Sequence, residues 1–239
     1  MFPIRDDQPR FSTPYVNYFI IALNLLVYIF FELPVQFQGP RYFNALIFQF
    51  GFVPAHLTHA NGADPHYPLP AALLTIFTSM FLHADLFHIV GNLWFLWIFG
   101  DNIEDYLGHF TYLVFYLLCG VAAALAFIAI NPSSTIPTLG ASGAIAGVLG
   151  AYIVLYPRAR VQTLVVLIVF FTFWWIPAWV FLGYWFLIQF VATTMTASST
   201  VAHQTGGVAF AAHVGGFLTG LLLIKLLPKR TRSYRYGTW

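Results

Sequence analysis

Six runs of apolar residues, separated by short polar or proline-bearing links, leave this chain one solvent to fold in. A helix of about 20 such residues crosses the hydrocarbon core of a bilayer while satisfying its own backbone. The runs are Val16 to Leu33, Ala71 to Phe99, Phe110 to Ile130, Gly140 to Tyr156, a span within Val161 to Val191, and Gly206 to Leu227. Composition points the same way: 59% of the residues are hydrophobic and only 8% charged, against roughly 25% charged in a soluble domain. The fifth run is too short for two full crossings, which need about 40 residues, and Pro177 can kink or break it.

Charge sets the orientation. Lys and Arg accumulate in cytoplasmic loops. With six spans and the N-terminus inside, Arg5, Arg10, Arg158, Arg160, Lys225, Lys229, Arg230, Arg232 and Arg235 all fall inside, and only Arg41 falls outside. The expected fold is an all-α membrane protein: a bundle of six transmembrane helices with both termini cytoplasmic. Residues 1–15 form a cytoplasmic N-terminal segment, 16–228 the membrane domain and 229–239 a basic cytoplasmic tail. The first run ends Phe30-Phe31-Glu32-Leu33-Pro34 rather than in small residues, so it is read as an uncleaved span. Asp6 and Asp7 argue against a mitochondrial transit peptide. The long link from Pro34 to Pro70, apolar but broken by Gly39-Pro40, Gly51 and Pro54, is expected to lie in the outer interface. Cys119 is the single cysteine, so no disulfide forms within the chain. Six tryptophans, Trp94, Trp97, Trp174, Trp175, Trp179 and Trp185, are expected to face lipid or its interface.

Polar groups inside spans are costly and default to function. The second run carries His83, His88 and Asn92. His88 and Asn92, four residues apart, share a helix face, and both can donate hydrogen bonds. His83, five before His88, is rotated from it by about 140° on one continuous helix. The fourth run opens Gly140-Ala141-Ser142-Gly143, which puts a serine at a helix N-terminus, where free N–H groups favour a developing anion. Ser142, Ala146 and Gly150 form one small-residue stripe, and Gly143, Gly147 and Ala151 the next. In the sixth run Ala209, His213, Gly216 and Gly220 share a face. Two such stripes pack closely in a membrane, which would bring Ser142 to His213. The combination suits acyl transfer, with Ser142 as nucleophile, His213 as general base, and His88, Asn92 and the Ser142 N–H as oxyanion donors. No Asp or Glu lies in spans four to six, so a dyad is the economical reading; Asp85 is the nearest acid that could orient His213. A metal site using His83, His88 and His213 is the first alternative, but no H-E-x-x-H is present. A non-catalytic binder of transmembrane helices is the second.

These residues resemble the rhomboid intramembrane proteases, over roughly residues 15 to 228. His83-Ala-Asp-Leu-Phe-His88-Ile-Val-Gly-Asn92 is similar to that family's H-x4-H-x3-N, Gly140-Ala141-Ser142-Gly143 to its G-x-S-G, and Ala212-His213-Val214-Gly215-Gly216 with Gly220 to its A-H-x-x-G-x-x-x-G. Gly100 to Gly108 and Phe115 to Gly120 resemble stretches common in bacterial members. The resemblance implies an intramembrane serine endopeptidase that cleaves transmembrane protein substrates in the bilayer, with no metal, cofactor or nucleic acid. It implies Ser142 and His213 as the dyad, His88 and Asn92 as oxyanion donors, and Gly140, Gly143, His83, Gly216 and Gly220 as supporting residues. It also implies that Thr193 to Gly206 caps the site. A bacterial inner membrane is the expected location. In some relatives an aromatic one turn after the serine stacks on the histidine; that position here is Ala146.

Overall fold

A computed structural model describes residues 1–58, 68–167, 170–197 and 210–230. Its elements in chain order are β1 (Phe2–Asp6), α1 (Tyr15–Val27), α2 (Leu33–Gln38), α3 (Pro40–Phe50), α4 (Pro54–Thr58), α5 (Leu69–Thr78), α6 (Leu86–Leu107), α7 (His109–Ile130), α8 (Ser142–Leu155), β2 (Arg160–Leu167), β3 (Phe170–Pro177), α9 (Ala178–Ala197) and α10 (Phe210–Leu226). A π turn over Tyr28–Glu32 joins α1 to α2, making Tyr15–Gln38 one apolar stretch of 24 residues. With α7 and Ala178–Met195, three helical stretches among the described residues are long and apolar enough to cross a membrane. A bent pair, Leu69–Phe81 and Leu86–Leu107, makes a fourth if counted as one span. The apolar helices α8 and α10 are shorter. The chain is an integral membrane protein built mainly of helices.

The second apolar run is not one helix, as its hydrophobicity predicts, but two pieces meeting at 80°. Leu82 is extended (φ −99°, ψ 147°). Asp85 then starts α6 afresh, its Oδ1 accepting the His88 N–H at 2.9 Å, as an N-cap carboxylate does. The break is held from the first span: fully buried Glu32, placed by the π turn, accepts the His83 N–H through Oε1 at 2.6 Å. His83 therefore sits in the break rather than on the His88 helix.

The all-α expectation is also corrected. Arg160 to Pro177, the first half of the fifth apolar run, is an antiparallel hairpin paired from Arg160↔Pro177 to Leu167↔Phe170. β1 joins it antiparallel, Phe2 against Leu164 and Asp6 against Val161. Valine and threonine make up half of β2, and phenylalanine, tryptophan and threonine most of β3, and such side chains favour a pleated surface. The fifth helix begins only after Pro177. β1 is docked on the bundle by Trp94, whose Nε1–H donates to the Pro3 carbonyl at 2.6 Å. Trp94 and Trp185 are partly buried against the core rather than lipid-facing; Trp97, Trp174, Trp175 and Trp179 are exposed.

The Tyr152 hydroxyl donates to the Asp6 carboxyl, tying β1 to the end of α8. Burial pushes the Asp6 carboxyl up to about 7, with Asp101 and Asp7 adding in the same direction against the Tyr152 hydrogen bond. The fold thus favours protonated Asp6. Its contribution is intact below the ordinary value of 3.8 and is lost as pH rises through about 7. Asp6→Asn is expected to melt with wild type at pH 4 and above it at pH 8, in thermal unfolding of the purified protein. A melting difference that does not grow with pH would overturn this account.

The helix α8 is the centre of the bundle, packed on α10, α7 and α6, and every residue from Gly143 to Tyr152 is buried. The small-residue stripes of α8 and α10 meet backbone to backbone. A Cβ at Gly216 would collide with the Gly143 carbonyl, one at Gly220 with the Gly147 carbonyl, and one at Gly150 with the Phe217 carbonyl. Asp101, Glu104 and Asp105 are helical, within α6. Glu104 reaches across to cap α1, accepting the Val16 and Asn17 N–H groups at 3.0 and 2.7 Å, and meets His109 Nδ1 at 2.5 Å.

Candidate active site

Three elements converge on one cavity of about 960 Å³. Ser142 from α8, His213 from α10, and His88 and Asn92 from α6 all line it, against an apolar wall that includes Phe52, Met80 and Phe127. The stretch before α8 is pinned from the far side. Phe52 and Thr138 exchange backbone hydrogen bonds at 2.9 and 2.7 Å, and the Gly140 N–H donates to the Ser79 carbonyl at 2.9 Å. Ser142 is the first residue of α8, where backbone N–H groups have no partner within the helix.

His213 is 7% exposed. Its Nε2 lies 2.8 Å from Ser142 Oγ. On its other side Nδ1 lies 2.7 Å from Gln189 Oε1, on α9. The rings of Trp185 (5.9 Å between centroids) and Phe210 (6.4 Å, edge-on) flank the imidazole. These two aromatics stand where Ala146 offers none. Asp85 does not orient His213, being committed to the start of α6.

His88 approaches the serine across Gly140. The Ala84 N–H points at His88 Nδ1, at 3.4 Å. Nδ1 is then the acceptor, and the ring proton sits on Nε2. Gly140, with φ 123°, is what lets His88 come close: a Cβ there would lie 2.8 Å from His88 Nε2 and 3.5 Å from Ser142 Oγ. The two groups therefore flank a common point. Asn92 Nδ2 is buried without a hydrogen-bond partner. An orphaned buried donor needs a reason, and this one lines the same cavity. His83 does not line it. It is fully buried, its ring 5.1 Å from that of His88 and edge-on to it, and neither ring nitrogen has a partner. Gly216 and Gly220 act in the α8–α10 contact, whereas Gly143 serves both that contact and the cavity wall.

Gln189 is the site residue that sequence reasoning missed. A signal existed: it is the one carboxamide in α9, and the rule applied to His88 and Asn92 applies equally to it. The cap expected over Thr193 to Gly206 falls, beyond Ala197, outside the described residues.

Residues 70–230 match the Rhomboid domain. The chain is 30% identical over 166 residues to Rhomboid protein 1, mitochondrial, of Saccharomyces cerevisiae, covering 68% of this chain and 44% of that one. It is 30% identical over 158 residues to Rhomboid-like protein 11, chloroplastic, of Arabidopsis thaliana (64% and 51%). Over 213 residues it is 28% identical to the human Presenilin-associated rhomboid-like protein, mitochondrial (84% and 45%). The chain spans about half the length of these relatives. The domain match runs from the bent helix pair through α10, taking in His88, Asn92, Ser142 and His213, and the chain belongs to the rhomboid family.

Proposed function

We propose that this protein is an intramembrane serine endopeptidase, cleaving peptide bonds in or near the transmembrane segments of other membrane proteins. The observation that carries the reading is the 2.8 Å approach of His213 Nε2 to Ser142 Oγ inside a cavity with an unpartnered amide donor. His213 takes the hydroxyl proton as Oγ attacks the scissile carbonyl carbon. The oxygen of that carbonyl becomes an anion held by His88 Nε2–H, Asn92 Nδ2–H and the Ser142 N–H. Collapse breaks the C–N bond, and His213 passes its proton to the leaving amine. A water then loses a proton to His213 and attacks the acyl-serine; the proton returns to Ser142 Oγ as the acid leaves. The chain's own residues supply the nucleophile, the base and the oxyanion donors, and water completes the hydrolysis.

The substrate reading rests on place. A nucleophile set among membrane helices meets peptide bonds that arrive in the bilayer. In this reading the chain crosses six times, with α8 and α10 as short central spans and both termini cytoplasmic, as the basic residues favour. The plasma membrane of a bacterium is the location proposed, and the relatives named above are organellar by name; fractionation of the source cells decides between them.

The test is expression with a panel of tagged single-span substrates, comparing wild type with Ser142→Ala and His213→Ala. Cleavage by wild type alone, at equal protein level, is the expected result. Folded wild type that cleaves nothing and takes no fluorophosphonate label would overturn the reading in favour of a rhomboid-like protein that only binds transmembrane helices. The oxyanion assignment makes its own prediction. His88→Ala and Asn92→Ala should each lower kcat by about 100- to 1000-fold, with KM nearly unchanged, because these donors bind the charge that develops in the transition state.

A further inference from the structure

The dyad leaves one thing unexplained: a buried imidazole needs a fixed tautomer and a fixed ring angle to serve as a base. For Nε2 to accept the Ser142 proton, the neutral ring must carry its own proton on Nδ1. That proton needs an acceptor. Helices α8, α9 and α10 contain no Asp or Glu, and the group that Nδ1 meets is the Gln189 amide oxygen at 2.7 Å.

We propose that Gln189 is the positioning residue of this site, a neutral third member behind Ser142 and His213. The proposal rests on the protease reading. An amide carbonyl accepts from Nδ1–H and so keeps Nε2 free. The opposite amide orientation would aim an N–H at Nδ1, move the ring proton to Nε2 and leave Ser142 Oγ facing a donor. A neutral acceptor also avoids setting an unpaired carboxylate in the membrane, which is expensive. Trp185 lies one turn before Gln189 on α9, so the two side chains share a face. Together they give His213 a ring wall and a hydrogen-bond stop.

The experiment uses the purified full chain with a single-span substrate, and compares wild type with Gln189→Met, Gln189→Leu and Gln189→Glu. Met and Leu keep apolar bulk but lack the carbonyl; Glu keeps the length and the accepting oxygen. Gln189→Met and Gln189→Leu should lower kcat and the rate of fluorophosphonate labelling at Ser142 by roughly 10- to 100-fold, part of the ~10²–10⁴ that a positioned base contributes. KM should stay constant, and Gln189→Glu should recover most of the loss. A packing role alone would not give recovery by Glu at unchanged KM. Wild-type labelling rates in Gln189→Met or Gln189→Leu, or a Gln189→Glu variant as slow as both, would overturn the proposal while leaving the protease reading intact. Absence of labelling in wild type would overturn both.

Discussion

Ser142→Ala and His213→Ala should each lower kcat by about 10⁴-fold or more, to a common floor, and the double variant should be no worse than either single one. The reason is in the geometry. The two groups sit 2.8 Å apart and act as one unit. Without Oγ there is no nucleophile for the imidazole to activate. Without the imidazole, a serine hydroxyl in an apolar cavity has nowhere to send its proton. Neither substitution touches the His88 and Asn92 donors, which face the cavity from α6. Substrate should therefore still bind, with KM within about twofold, as expected for interactions made only in the transition state. The measurement is kcat and KM on a single-span substrate in proteoliposomes, with fluorophosphonate labelling as the second readout. Additive losses in the double variant would mean that serine and histidine serve separate reactions, and the dyad would have to be abandoned.

The residues that meet in the cavity could be read from sequence because each is a costly group in an apolar run, and cost in a membrane points to use. The i, i+4 spacing of His88 and Asn92 survives in α6, since it depends only on helical geometry. Other features escaped because they are decided between segments. His83 was placed on the His88 helix because an unbroken apolar run carries no sign of a bend. The bend exists because Glu32, some fifty residues earlier, accepts the His83 N–H. The hairpin escaped for a different reason. Apolarity measured over a long window does not distinguish strand from helix, and Leu167 to Phe170, where the chain reverses, contains no Gly, Asn or Asp to mark a turn. Valine- and aromatic-rich composition was the available signal, and it was outweighed by length. Gln189 escaped because it stands in its run without the neighbouring histidine that marks Asn92. A carboxamide does the same hydrogen-bonding work at lower cost in lipid.

Gly220→Ala and Gly183→Ala, one methyl group each, should move stability in opposite directions. Alanine in a helix interior is favoured over glycine by about 0.5–1 kcal/mol. At Gly183 on α9 nothing lies within 4 Å of the added carbon, so that gain should be seen in full. At Gly220 the added carbon meets the Gly147 carbonyl on α8. Backbone cannot rotate out of the way as a side chain can, so the helices must separate. Overpacking typically costs 1–3 kcal/mol, and a backbone obstacle belongs at the upper end, about 3 kcal/mol. The loss should also reach the chemistry. His213 lies two turns before Gly220 on the same helix, and separating α10 from α8 draws Nε2 away from Ser142 Oγ. Denaturant unfolding in micelles gives the first quantity and the labelling rate at Ser142 the second. Both should fall in Gly220→Ala, and neither should fall in Gly183→Ala. If Gly220→Ala were as stable and as reactive as Gly183→Ala, α8 and α10 could not be in backbone contact, and the 2.8 Å dyad, which depends on that contact, would fall with it.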